Sequence, residues 1–210
     1  MSTDDLRARI RDIIAPPADH LLVGFFNPTK PFDGGMFNTL TENPRDTFSV
    51  TDLLAQTMLD VMHTPLAVRA LLKPDFSRYL ADLRDDLDLW DATDEDLAPA
   101  HQLWGEVIKL PGVGLVKASK LLARKRPRLI PIVDSVARKS YGLTEHDDPR
   151  VAWVALREAL KDRQLRDQID AIRPPGLTST VTTLRLLDVA AWMRGSGYHE
   201  AKRVRKQVGL

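Results

Sequence analysis

Cysteine is absent from the 210 residues, which excludes disulfides, thiolate zinc sites and cysteine-held iron–sulfur clusters. Its absence fits a reducing compartment. Net charge is nearly absent too: 30 basic residues against 29 acidic ones leave a formal +1. Composition alone therefore does not mark a nucleic-acid binder. Long hydrophobic runs are missing as well. Leu21–Phe26, for example, is broken by Gly24 and falls far short of the roughly 20 apolar residues that span a bilayer. The opening Met1-Ser2-Thr3-Asp4-Asp5 is acidic where a secretory signal would be basic. A cytoplasmic location without membrane partners is expected. The histidines His20, His63, His101, His146 and His199 are scattered without metal-ligand spacing, and no phosphate-binding loop, dinucleotide fingerprint or nucleophile elbow occurs. Neither a metal nor a cofactor is expected.

What is present is helical periodicity. Apolar spacing predicts an all-α chain with helices near 4–15, 52–62, 65–73, 76–87, 94–109, 115–125, 134–141, 149–161, 163–172 and 181–194. Thr3 is a plausible N-cap for the first, which Pro16-Pro17 stops. Thr64 before Pro65, and Thr93 before Asp94-Glu95-Asp96, suit helix starts. His146-Asp147-Asp148 reads as a turn into the helix at Pro149. The segment 18–48, with Asn27-Pro28 and Gly34-Gly35, is expected as loop or short extended structure. The whole chain, 1–210, reads as one helical domain, with two helical lobes around a cleft as an alternative arrangement. A basic tail, 198–210, ends it, expected as a disordered phosphate-binding arm or simply a soluble end.

Charge is segregated despite its small sum. Seven bases and no acid lie between Val107 and Val133, while eight acids and one base lie from Asp82 to Asp96. Within the basic stretch stands Leu110-Pro111-Gly112-Val113-Gly114, between two helical patterns. Two glycines around a small apolar residue permit a sharp turn and a close approach of the backbone to a phosphate. The amides that follow are the unpaired donors at the positive end of the next helix dipole. Lys117, Lys120 and Arg124 follow in that helix and are expected to add charge against the same phosphate backbone. The alternative is a helix–helix connector whose glycines only allow the turn.

This stretch, Leu110–Lys120, resembles the helix-hairpin-helix motif of DNA repair and replication proteins. The resemblance implies that Pro111, Gly112, Val113, Gly114, Lys117, Lys120 and Arg124 hold duplex DNA by its backbone. Asp134, in Pro131-Ile132-Val133-Asp134-Ser135-Val136, lies twenty-four positions beyond Leu110. Hairpin and aspartate together resemble the helix-hairpin-helix DNA glycosylases, whose similar hairpin precedes an aspartate at a helix start. The resemblance implies that Asp134 is catalytic, with its carboxylate stabilising positive charge on the sugar as the base leaves. An aspartate before a helix is also a routine N-cap. Bifunctional members carry a lysine at the position of Val116, and Lys117 would point about 100° away around the helix. A lyase step is therefore not expected. Members also commonly place an apolar residue three positions after the aspartate, where this chain has Val136 at two.

Leu53-Leu54-Ala55-Gln56-Thr57 is similar to a helix of the endonuclease III-like enzymes whose glutamine fills the gap left by a flipped base. Lying so near the hairpin, Gln56 is expected instead on an exposed amphipathic face. The block Ala118–Pro131, the Asp134-Ser135 pair and the helix Leu184–Met193 resemble a family of small uncharacterised bacterial proteins, which carries no established activity. The expected functions are a monofunctional DNA glycosylase, a non-catalytic DNA-binding protein, or a structural or protein-interaction module.

Overall fold

The structure, a computed structural model, describes residues 1–29, 34–40, 43–73, 76–144 and 147–210. Among these residues there are α-helices and turns and no β-strand. The chain opens with α1 (Thr3–Ile14), α2 (Ala18–Phe26) and the single turn α3 (Met36–Thr39). Three short helices follow, α4 (Val50–Thr57), α5 (Pro65–Leu71) and α6 (Ser77–Ala81). A 3-10 turn at Leu89–Asp91 leads to α7 (Asp94–Ile108), α8 (Leu115–Lys125) and α9 (Ser135–Tyr141). The remainder is α10 (Pro149–Leu160), α11 (Arg163–Ala171), α12 (Thr183–Gly195) and α13 (His199–Gln207).

Local chemistry explains most of the starts. Ser2, Ser49 and Thr93 form capping boxes with Asp5, Asp52 and Asp96, satisfying amides that the helix itself leaves unpaired. The cap of α1 is thus Ser2, one residue before the expected Thr3. Thr64 and Asp148 cap helices that begin on Pro65 and Pro149. His146 lies outside the described residues.

Helix α12 is the hub. It packs against α1, α2, α9, α11 and α13 and buries residues on every side, from Leu184 to Met193. A helix enclosed all round shows little amphipathicity, and any polar residue it carries goes into the interior with it. One apolar cluster runs through the helices from Leu6 in α1 to Val204 in α13. A small second cluster joins Phe37, Ala55, Ala123 and Ile132.

Two expectations are corrected. The segment 18–48 is not simply loop, because Ala18–Phe26 is helical and buries Leu21, Leu22, Phe25 and Phe26. Gly24 hides the pattern in the sequence. It is there for packing: a β-carbon on it would approach Val204 Cγ1 to 2.8 Å, so it lets α2 lie close on α13. The tail is not an irregular arm either. His199–Gln207 forms α13 and buries Ala201 and Val204.

The basic run at the end of α8 is structural. Arg124 and Lys125 both pair with the fully buried Asp52 of α4, Arg124 Nε at 3.0 Å from its carboxylate. Arg124 also donates to the carbonyls of Phe37 and Leu40, and Lys125 to Pro44 at 3.0 Å. Arg126 donates to Leu80, Leu83 and Arg45. These carbonyls belong to helix ends and irregular chain that cannot pair with themselves, and buried carbonyls need donors. Burial lowers the pKa of Lys125 and of Arg126. The cations latch Phe37 and Leu40, Asn43 to Arg45, and the end of α6 onto α8.

Candidate functional site

The hairpin joins α7 to α8 through residues 109–114. Gly112 has φ +76°, the left-handed region. A β-carbon there would also meet Thr64 Oγ1 at 2.9 Å, so the cap of α5 backs directly onto the turn. Gly114 differs. Its φ of −94° suits any residue, and a β-carbon on it would meet nothing within 4 Å. It is the N-cap of α8 and offers no side-chain cap, leaving the first amides of the helix facing outward. The first backbone bond inside the helix runs from Ala118 N to Gly114 O, 3.0 Å. Pro111, Gly112 and Gly114 are exposed, while Val113 is buried beneath them.

The expected phosphate cations separate on folding. Lys117 stays near the surface, and its ammonium donates to Gly112 O at 2.8 Å, bracing the turn. Lys120 does not face outward. It is buried and donates to Leu59 O at 2.9 Å. Arg124 lies in the Asp52 network and is unavailable to phosphate. Of the three, only Lys117 remains where a duplex could touch it. Gln56, expected on an exposed face, is fully buried and donates to Lys117 O at 2.7 Å, tying α4 to the start of α8.

The extended stretch after α8 is held on both sides. Val133 N donates to Ser119 Oγ of α8 at 2.7 Å, and Ile132 N to Asp188 Oδ2 of α12 at 2.9 Å. These bonds deliver Asp134 to the start of α9. Its Oδ1 accepts from the amides of Val136 and Ala137 at 3.0 and 2.9 Å. Oδ2 takes no hydrogen bond from the described residues.

Asp134 also lines a pocket of about 260 Å³. The wall is shared by Thr57–Asp60 after α4, Lys120 of α8, Asp134 and Ala137, and Arg185, Asp188 and Trp192 of α12, with Phe25 and Tyr198 at its aromatic side. Phe25 and Trp192 meet edge to face at 5.8 Å between ring centroids, and Trp192 lies 6.1 Å from Tyr198. The pocket thus joins an aromatic wall to convergent charges, the pattern expected of a ligand site.

Electrostatics differentiate its members. Burial pushes Asp188 up to about 7, opposed by the Ile132 amide and Arg185 and reinforced by the nearby Asp134 charge. Tyr141 approaches the same carboxylate and lowers its pKa slightly, without closing a hydrogen bond. Burial draws Arg185 down to about 10, against the pull of Asp188 and Asp134. Burial likewise lowers Lys120, with Asp134 opposing. Shifted groups gathered in one cleft are a mark of functional sites.

Ser119, Arg185 and Asp188 were not candidates from the sequence. Asp188 is the one acid in Leu184–Met193, and a lone acid in an apolar helix is a signal that could have found it.

A family model matches most of the chain. The family model DUF6308, a family of unknown function, covers residues 18–195, and the chain belongs to that family. No curated protein and no solved structure matches it. Among the described residues, no helix is long and apolar enough to cross a membrane.

Proposed function

We propose that this protein binds duplex DNA through the hairpin at Leu110–Lys120 and acts as a monofunctional DNA glycosylase, with Asp134 as its catalytic carboxylate. The observation that carries the reading is the placement of Asp134. One oxygen is spent on the α9 amides, and the carboxylate stands in the wall of a half-enclosed, aromatic-sided pocket. A base extruded from a duplex needs such a receptacle.

The hairpin supports the docking half. Gly114 has no steric reason within the protein to be glycine, and its openness leaves room for a phosphate against the amides of α8. In the pocket, the Asp134 charge would stabilise the sugar cation that forms as the glycosidic bond breaks. Water supplies hydroxide to the sugar carbon, and its proton goes to the departing base. The α9 amides fix the carboxylate in advance, so no reorganisation is required at the moment of reaction.

Non-catalytic docking is the second reading, favoured by the ordinary N-cap geometry of Asp134. Asp134→Asn separates the two. The asparagine keeps the cap but removes the charge, so base release from a modified or mispaired duplex is expected to vanish while duplex affinity is kept. Wild-type base release by the variant would end the catalytic assignment.

A further inference from the structure

Arg185 and Asp188 lie one turn apart on the same face of α12, and both line the pocket. They are 6% and 5% exposed. Each carries one buried atom without a hydrogen-bond partner: Nη2 of Arg185 and Oδ1 of Asp188. The pair does not satisfy itself, since the two side chains form no ion pair with each other. One other polar atom of each is engaged. Arg185 Nε donates to Asn38 Oδ1 at 3.2 Å, and its guanidinium sits over the rings of Phe25 and Phe37. Asp188 Oδ2 holds the Ile132 amide. An unmet donor and an unmet acceptor on two side chains that line one pocket fit a partner offering the complementary pair, with the Tyr141 hydroxyl the one protein donor near the carboxylate.

The charges narrow what that partner is. The lining holds two cations, Lys120 and Arg185, against two carboxylates, Asp60 and Asp134, and the partly ionised Asp188, so it carries no net positive charge. A phosphate or other anion is disfavoured by that balance. The aromatic side, Phe25, Trp192 and Tyr198, suits a flat neutral ring. Among the neutral edges, the two cations call for acceptors and the orphan carboxylate oxygen calls for an N–H. Carbonyl oxygens beside a ring N–H meet that demand. An exocyclic amine beside a bare ring nitrogen meets it less well, having one acceptor fewer or no ring N–H.

We infer that the Arg185–Asp188 pair reads the hydrogen-bonding edge of a keto-form nucleobase, one presenting C=O beside ring N–H, with Arg185 donating to the carbonyl and Asp188 accepting from the N–H. This deepens the proposed function and rests on its reading of the pocket as the receptacle for an extruded base. The class includes uracil and hypoxanthine, the bases that deamination makes from cytosine and adenine. A site built to hydrogen-bond one edge rejects the analogue lacking it, because its own buried groups are then left unpaired.

The test is saturation-transfer NMR on the full chain with 1-methyluracil against 1-methylcytosine, and 9-methylhypoxanthine against 9-methyladenine, the methyl group standing where the sugar is attached. Each pair has nearly one size and differs in its edge. The keto member of each pair is expected to bind roughly tenfold tighter or better. Asp188→Asn keeps an acceptor for Ile132 N and turns an NH2 toward the pocket, so it is expected to abolish that preference. Arg185→Met, which removes the donor and keeps an apolar side chain beside the rings, is expected to do the same. Should the Arg185 variant fail to fold, Asp188→Asn decides alone. Equal binding of all four bases, an amino preference, or a keto preference that survives Asp188→Asn would overturn the inference. Measuring abasic-duplex binding in parallel separates the two proposals. Abasic preference without keto discrimination removes the edge reading and leaves the proposed function. Keto discrimination without duplex binding does the reverse.

Discussion

Asp188 should leave a mark on stability that can be read without any ligand. Its carboxyl is held at about 7 in the folded protein against an ordinary 3.8. The folded state therefore binds the proton more tightly than the unfolded state, and stability falls as pH rises between those values. Three pKa units at about 1.4 kcal/mol each amount to about 4 kcal/mol in full, with more than half of it lying between roughly pH 5 and pH 8. Asp188→Asn removes the titration and keeps an acceptor for the Ile132 amide. Urea denaturation of both proteins across that range gives the difference in unfolding free energy at each pH. Surface carboxylates whose pKa is lowered, such as Asp96 at its capping box and Asp148 beside Arg150, contribute equally to both proteins and cancel. The variant is expected to gain on the wild type by a few kcal/mol as pH rises, levelling off above about 7. A difference that stays flat across the range would mean that Asp188 is not a buried carboxyl held beside Asp134 and Arg185.

Three further substitutions separate structural from functional basic and glycine residues. Arg124→Met strips Asp52 of one of its two cations and is expected to destabilise by about 3–5 kcal/mol, while duplex affinity per folded molecule is unchanged; urea denaturation and anisotropy read the two effects. Gly112→Ala forces a left-handed φ and crowds Thr64, for an expected loss of about 1–2 kcal/mol. Gly114→Ala is expected to change stability by less than about 1 kcal/mol yet weaken DNA binding, so a Gly114 variant with intact affinity would remove the hairpin from the interface.

Most helices were legible because their signals are local. The Thr93 cap with its acids, Thr64-Pro65 and Asp148-Pro149 act within one turn of chain, and α8 has a clear apolar stripe. Helix α2 escaped because Gly24 lies in its middle and its residues are apolar on several sides, leaving no stripe to read. The basic run of α8 misled for a different reason. Charge sequence alone does not say which carbonyls lack partners, and those that recruit Arg124–Arg126 lie some 40 to 90 residues away in the chain. Lys117 and Lys120 look alike in sequence, and the difference between them is made by the chain after α4, which covers Lys120. For Asp134, spacing from the hairpin drew attention to the residue; folding shows the N-cap and leaves catalysis as the proposal above. It is an N-cap and it lines the pocket. Arg185 and Asp188 were invisible because α12 is enclosed on every side, so its pattern points to no particular face.

The central claim is that the pocket receives a nucleotide turned out of a duplex gripped by the hairpin. Fluorescence anisotropy tests it most directly, comparing a duplex with an abasic-site analogue and its undamaged counterpart across a salt series. Tighter binding to the abasic duplex is predicted, with affinity for both falling as salt rises because phosphate contacts release counterions. Equal affinity for the two would contradict extrusion, and no binding to either at low salt would contradict the claim entirely.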